Sequence, residues 1–175
     1  MIQAETMDLF VVRHGEAGKR ISAAASDSGR GLTASGRKEV EVLAWLLKDM
    51  GIKFDFIISS SLKRAVETAH IISGNAGRQP EPVQWKELNP ESDPAIFIRR
   101  LAGVGINRRI ALVGHNPFLQ KLIGMLVAEG GECRIELKKC GVARLDVVTL
   151  VPSPRAELKW LLTPKIEKYA SSAND

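Results

Sequence analysis

The chain has 175 residues, 45% of them hydrophobic and 26% charged, enough to bury a substantial core in a single globular domain. Its 25 Lys and Arg stand against 20 Asp and Glu, a net charge of +5, but the signs are interleaved, as in GRKEVEV and RAELKW. Such a solvated, mixed surface argues against nucleic-acid binding, and no apolar run approaches the roughly 18 residues that a membrane span needs.

The opening MIQAETMDLF, without a basic stretch followed by a long apolar run, does not read as a signal peptide. LFVV (9–12) reads as a buried strand. GLTASGRKEVEVLAWLLKDMG reads as a helix entered near Thr33 or Ser35, with Val40, Leu43, Leu47 and Met50 at helical spacing and Gly51 as its stop. FDFIIS (54–59) is a second strand, and SLKRAVETAHIISGN a second helix, capped from a serine cluster. Residues 75 to 93 read as connection with a short strand at PVQW. Asp93 and Pro94 then open a helix as cap and first residue. RIALVG (109–114) is a third strong strand, followed by HNPFLQKLIGMLVAEG, a helix with Asn116 as cap and Pro117 first. CRIELKKCGVARLDVVTLVPSPRAELKWLLTPK reads as strands extending one sheet edge, and YASSAND as a frayed tail. Strands alternating with helices predict a three-layer α/β/α fold: a mostly parallel central sheet flanked by helices, with antiparallel edge strands. One domain spans 1–175, with a core of about 7–165.

Functional residues collect where strands end. Arg13 and His14 follow the first strand, Arg64 lies just beyond the second, and His115 follows the third. Open α/β sheets bind ligands beyond the carboxyl ends of their strands, and nearby helix starts favour anions. Two guanidiniums can grip phosphoryl oxygens with forked hydrogen bonds. A neutral imidazole is a competent nucleophile near pH 7, so His14 takes the phosphoryl group, His115 stabilises charge on its oxygens, and water releases phosphate. Gly15 and Asn116, beside the two histidines, complete the expected phosphate-binding set. No metal or cofactor is needed.

VVRHGEA, SSSLKRAVETA and LVGHNP, in that order, resemble the histidine phosphatase superfamily. The resemblance implies that His14 is the phosphorylated nucleophile, Arg13 and Arg64 are phosphate clamps, and His115 is the second pocket histidine. Arg64 rather than Lys63 matches the family's arginine in RAVET. SDSGRGLTASG, WKELNPESDP and WLLTPK are further similar to the SixA-like phosphohistidine phosphatases, although Gly31 stands where that branch often has proline. The stretch between Arg64 and His115 holds two helices and a connection, with no room for the large cap of mutase-like members. An open site suits a phosphorylated side chain on a protein. Glu87 lies where larger members place their proton donor and is the candidate acid; Glu16 is read as a supporting residue. Imidazole needs less acid help than an alkoxide to leave.

The sequence therefore points to a cytoplasmic, metal-independent phosphatase acting on a phosphohistidine-bearing protein. The alternatives are a phosphomonoesterase for small phosphorylated metabolites and a phosphoprotein-binding module without turnover. Neither membrane nor nucleic acid is an expected partner. His70 reads as a helix histidine without function, Asp27 and Arg30 as rim or loop salt bridge, Lys19 as solvated, and Cys133 and Cys140 as core or edge thiols. The HGE triplet lacks the P-C-x-x-C partner of zinc deaminases, and no G-x-x-x-x-G-K-[ST] loop is present.

Overall fold

Successive residues of the first apolar run face two different cores, as the pleat of a strand requires. In the computed structural model, which describes residues 6–18, 29–77, 79–128 and 133–162, this strand is β1 (Met7–Arg13). Leu9 and Val11 pack with one helical layer and Phe10 and Val12 with the other. The second layer is α1 (Ala34–Asp49) and α2 (Lys63–Asn75), and the first is α3 (Pro94–Ala102) and α4 (Phe118–Val127). The expected three-layer arrangement is present.

The remaining strands are β2 (Phe56–Ser59), β3 (Val83–Gln84), β4 (Arg109–Gly114), β5 (Val142–Thr149) and β6 (Arg155–Leu162), and the sheet order is β3-β2-β4-β1-β5-β6. β3, β2, β4 and β1 are parallel, whereas β5 runs antiparallel to β1 and β6 antiparallel to β5. Between α2 and β4 the described residues hold only β3, a 3-10 turn at Lys86–Leu88 and α3, so there is no large insertion. Among the described residues no helix is long and apolar enough to cross a membrane.

Register decides where the site lies. Arg13 pairs with Gly114, and Ser59 with Val113. The ladder runs one step further, since the amides of His14 and Ser60 donate to the carbonyls of Gly114 and Val113 at 3.1 and 2.9 Å. The ends of β1, β2 and β4 therefore reach one edge together.

Local signals mostly hold, with instructive departures. Thr33 caps α1 by accepting the Gly36 amide at 2.9 Å, and Asp93 caps α3 by accepting that of Ala95 at 2.9 Å. Gly51 stops α1 at φ +67°, although Met50 sits outside the core. β2 starts at Phe56 rather than 54 because the carboxylate of Asp55 takes the Arg109 amide at 2.7 Å instead of extending the strand. Asn116 does not cap α4; Pro117 occupies the N-cap after a cis Asn116–Pro117 bond. The serine cluster does not cap α2 either: Leu62 is its N-cap, without a side-chain bond.

Two glycines let backbone meet backbone beneath the site. A Cβ on Gly36 would collide with the Glu16 carbonyl oxygen and come within 2.8 Å of its amide nitrogen, and one on Gly15 would lie 3.0 Å from the Gly36 carbonyl oxygen and 2.7 Å from the Val40 side chain. Gly74, in α2, has open space where a Cβ would be. Gly36→Ala is therefore expected to destabilise the protein by about 1–3 kcal/mol through overpacking. Gly74→Ala should stabilise it by about 0.4–1 kcal/mol by restricting the unfolded chain. Thermal or urea unfolding of the two variants checks both signs.

Candidate active site

His14 is buried directly past β1, and its orientation follows from one hydrogen bond. Its Nδ1 lies 2.6 Å from the Gly15 carbonyl oxygen. A carbonyl only accepts, so Nδ1 carries the proton and the neutral ring keeps its lone pair on Nε2. That lone pair meets Arg64, whose Nε donates to it at 3.2 Å. Burial is the main reason the His14 pKa falls from the ordinary 6.5 to about 4; the Gly15 carbonyl opposes this, and Arg64, Arg13 and Lys139 add to it. The ring is thus held neutral, as a nucleophile must be.

Gly15 also ties this loop to α2. Its amide donates to Thr68 Oγ1 at 3.2 Å, and that hydroxyl donates to the Arg64 carbonyl at 2.7 Å. The spacing from Arg to Thr in RAVET is what joins the two elements. The Gly15 amide is therefore engaged by Thr68, and its carbonyl orients the His14 ring.

Arg13, the last residue of β1, donates from a terminal guanidinium nitrogen to the Leu137 carbonyl at 3.0 Å. Asn116 Nδ2 donates to the same oxygen at 2.9 Å. The stretch before β5 thus props both side chains at the pocket. His115, 2% exposed, follows β4 with its ring centroid 4.8 Å from that of His14. Its Nε2 lies 2.6 Å from Ser60 Oγ. In the sequence the serines read as a helix cap; the pairing of β2 with β4 is what brings Ser60, one residue past its strand, to His115.

Arg13, His14, Arg64, His115 and Asn116 line one pocket of about 340 Å³, together with Ala17, Arg30, Pro90 and Lys139. Arg30 reaches it from a loop and donates to the Gly18 carbonyl at 2.9 Å. Glu67 fixes that loop on α2 by accepting the Leu32 amide at 2.7 Å and pairing with Arg37 at 2.9 Å. Asn89 accepts both the amide and hydroxyl of Ser61 at 3.1 Å, which pins the turn carrying Pro90. Lys139 pairs with Glu16 at 3.5 Å, and Glu16 also accepts from Thr33, in keeping with a supporting role.

Glu87 is not brought to this pocket. Both its oxygens accept from one Arg100 nitrogen, at 2.7 and 2.6 Å, and Arg100 itself lies 4.0 Å from the centre of the Trp85 ring. The hydrogen bond from Arg100 lowers the Glu87 pKa, the opposite of what a proton donor needs. His70 is exposed on α2, Cys133 is exposed, and burial pushes the Cys140 thiol up to about 12. Lys19, Asp27 and the residues after Leu162 lie outside the described residues. Among the described residues no three His, Cys, Asp or Glu side chains gather as metal ligands.

Two imidazoles and two guanidiniums thus line one crevice at the strand ends of an open α/β sheet, where such folds bind ligands. The chain belongs to the histidine phosphatase superfamily: the profile of its branch 1 matches residues 9–90. An uncharacterised protein of Picosynechococcus sp. is 31% identical over 170 residues, covering 89% of this chain and 99% of that one. The structure of the protein histidine phosphatase SixA complexed with tungstate superposes with a TM-score of 0.76 at 23% identity, over 90% of this chain and 97% of that one. The alpha-ribazole phosphatase from Shigella flexneri gives 0.72 at 20% identity, over 90% and 96%. The two solved structures share the fold, and superfamily membership supports a phosphatase hydrolase.

Between pH 6.5 and about 4 the unfolded chain protonates His14 while the folded protein resists. The unfolded state then binds more protons, so stability falls as pH drops through this window and is unaffected above it. The cost reaches about 2 kcal/mol at pH 5. Wild type should therefore lose more melting temperature between pH 7 and pH 5 than His14→Gln does; equal losses would contradict the assignment.

Proposed function

We propose that this protein is a phosphatase that works through a phosphohistidine at His14 and acts on phosphohistidine in a protein. The observation that carries the reading is the His14 ring itself, with Nδ1 held by the Gly15 carbonyl and Nε2 turned to Arg64. Nε2 attacks phosphorus, the bond from phosphorus to the substrate's ring nitrogen breaks, and the electron pair leaves with that nitrogen. Arg13 and Arg64 grip the phosphoryl oxygens, and His115 donates to them as charge develops. Water then attacks the phosphorus on His14, the P–N bond breaks, phosphate departs, and the ring returns to its neutral form.

The preference for phosphohistidine rests on the leaving group. Among the described residues that line the pocket there is no carboxylate, and Glu87 is bound to Arg100. An alkoxide would leave poorly without an acid, whereas imidazole is far less basic. The absence of a large insertion between α2 and β4 supports a substrate side chain carried on a protein. Two unpaired cysteines fit a reducing, cytoplasmic setting.

The test is phosphate release from a phosphohistidine-bearing phosphotransfer domain, a panel of sugar phosphates and nucleotides, and the same mixtures with EDTA. Release from the phosphoprotein, insensitive to EDTA, is expected. Turnover of esters alone would establish the small-molecule phosphomonoesterase instead, and binding without release would establish a phosphoprotein-binding module. His14→Ala should lower turnover by at least about a thousandfold. Glu87→Gln should change both substrate classes by less than about threefold; a large loss on esters would restore Glu87 as the acid.

A further inference from the structure

Ser60 is fully buried one residue beyond β2, level with the end of β4 because its amide donates to Val113. Its hydroxyl oxygen accepts the Leu62 amide at 3.3 Å and lies 2.6 Å from His115 Nε2. A serine oxygen that already accepts an N–H has its own proton available for a second partner. With Nε2 engaged at this distance, the His115 nitrogen that can serve an oxyanion is Nδ1.

We propose that Ser60 is a positioning residue for phosphoryl transfer, acting through His115. Its hydroxyl donates to Nε2 and holds the proton of the neutral ring on Nδ1. The opposite tautomer would place a lone pair on Nδ1, where developing negative charge requires a donor. When His115 becomes cationic, the hydroxyl turns and accepts from Nε2–H, so Nδ1 keeps its proton in both charge states. The inference rests on the phosphatase reading for its kinetic consequence, but not for the tautomer.

Imidazole ¹⁵N NMR of the free enzyme reads the tautomer directly, with the three histidine signals assigned through His115→Gln and His70→Gln. Wild-type His115 should carry its proton on Nδ1, and Ser60→Ala should move population to Nε2–H. In kinetics, Ser60→Ala should lower kcat by about 10- to 100-fold while KM changes by less than about threefold, since the donor acts on transition-state charge. Ser60→Thr, which retains a hydroxyl, should recover most of that loss. In a His115→Ala background the further effect of Ser60→Ala should shrink to less than about threefold, the coupling expected of residues acting as a unit. Ser59→Ala is the control: Ser59 is equally buried, its hydroxyl has no hydrogen-bond partner among the described residues, and its loss should leave kcat unchanged. An Nε2–H tautomer in wild type, or an undiminished Ser60→Ala loss without His115, would overturn the proposal. Absence of turnover by wild type on every phosphorylated substrate would defeat the phosphatase reading, and the NMR result would still decide for or against Ser60.

Discussion

The parallel register of β1 against β4 is the constraint from which the site follows. Pairing Arg13 with Gly114 brings His14 beside the strand that ends in His115. Side chains alternate across a sheet, so a shift of one residue would exchange Phe10 and Val12 with Leu9 and Val11 between the two cores. Neither core can tolerate that exchange, because every one of these residues is essentially fully buried. The same apolar alternation that folds the protein therefore fixes the relative height of the two imidazoles.

Electrostatics at the strand ends oppose stability and prepare for a ligand. Arg13, Arg64, Arg30 and Lys139 face the same pocket as two buried rings. Burial is the main reason that a proton on His14 is disfavoured, and the like charge gathered there adds to it. The cations that would hold a phosphoryl group thus reinforce a neutral state that burial already sets. Backbone groups orient both side chains: the Gly15 carbonyl holds the His14 ring and the Leu137 carbonyl holds Arg13. Backbone groups have few alternative positions and lose little entropy when they orient a side chain.

Much of this was legible in the chain because it depends on periodicity and order. Alternation and helix spacing gave the layers, and Arg13, His14, Arg64 and His115 were recognisable because each follows a strand. What escaped was decided by contacts between distant segments. Ser60 resembles a helix cap until β2 is seen to neighbour β4, and nothing near Gly15 in the chain shows that its amide pairs with Thr68. Asn116 resembles a cap until Leu137 draws its side chain away. Glu87 sits in the right stretch of sequence, but α3 presents Arg100 to it. Local spacing carries no information about such partners.

The Leu137 carbonyl has a further consequence during synthesis. It comes from the stretch ahead of β5, yet it steadies Arg13 at the start of the chain. β1 likewise gains its antiparallel neighbour only when β5 has been made. A nascent polypeptide that has reached α4 already contains both imidazoles and Arg64, but it lacks the prop beneath the first guanidinium. The support beneath the Arg13 side chain is thus a late acquisition on the ribosome, withheld until synthesis has passed Leu137.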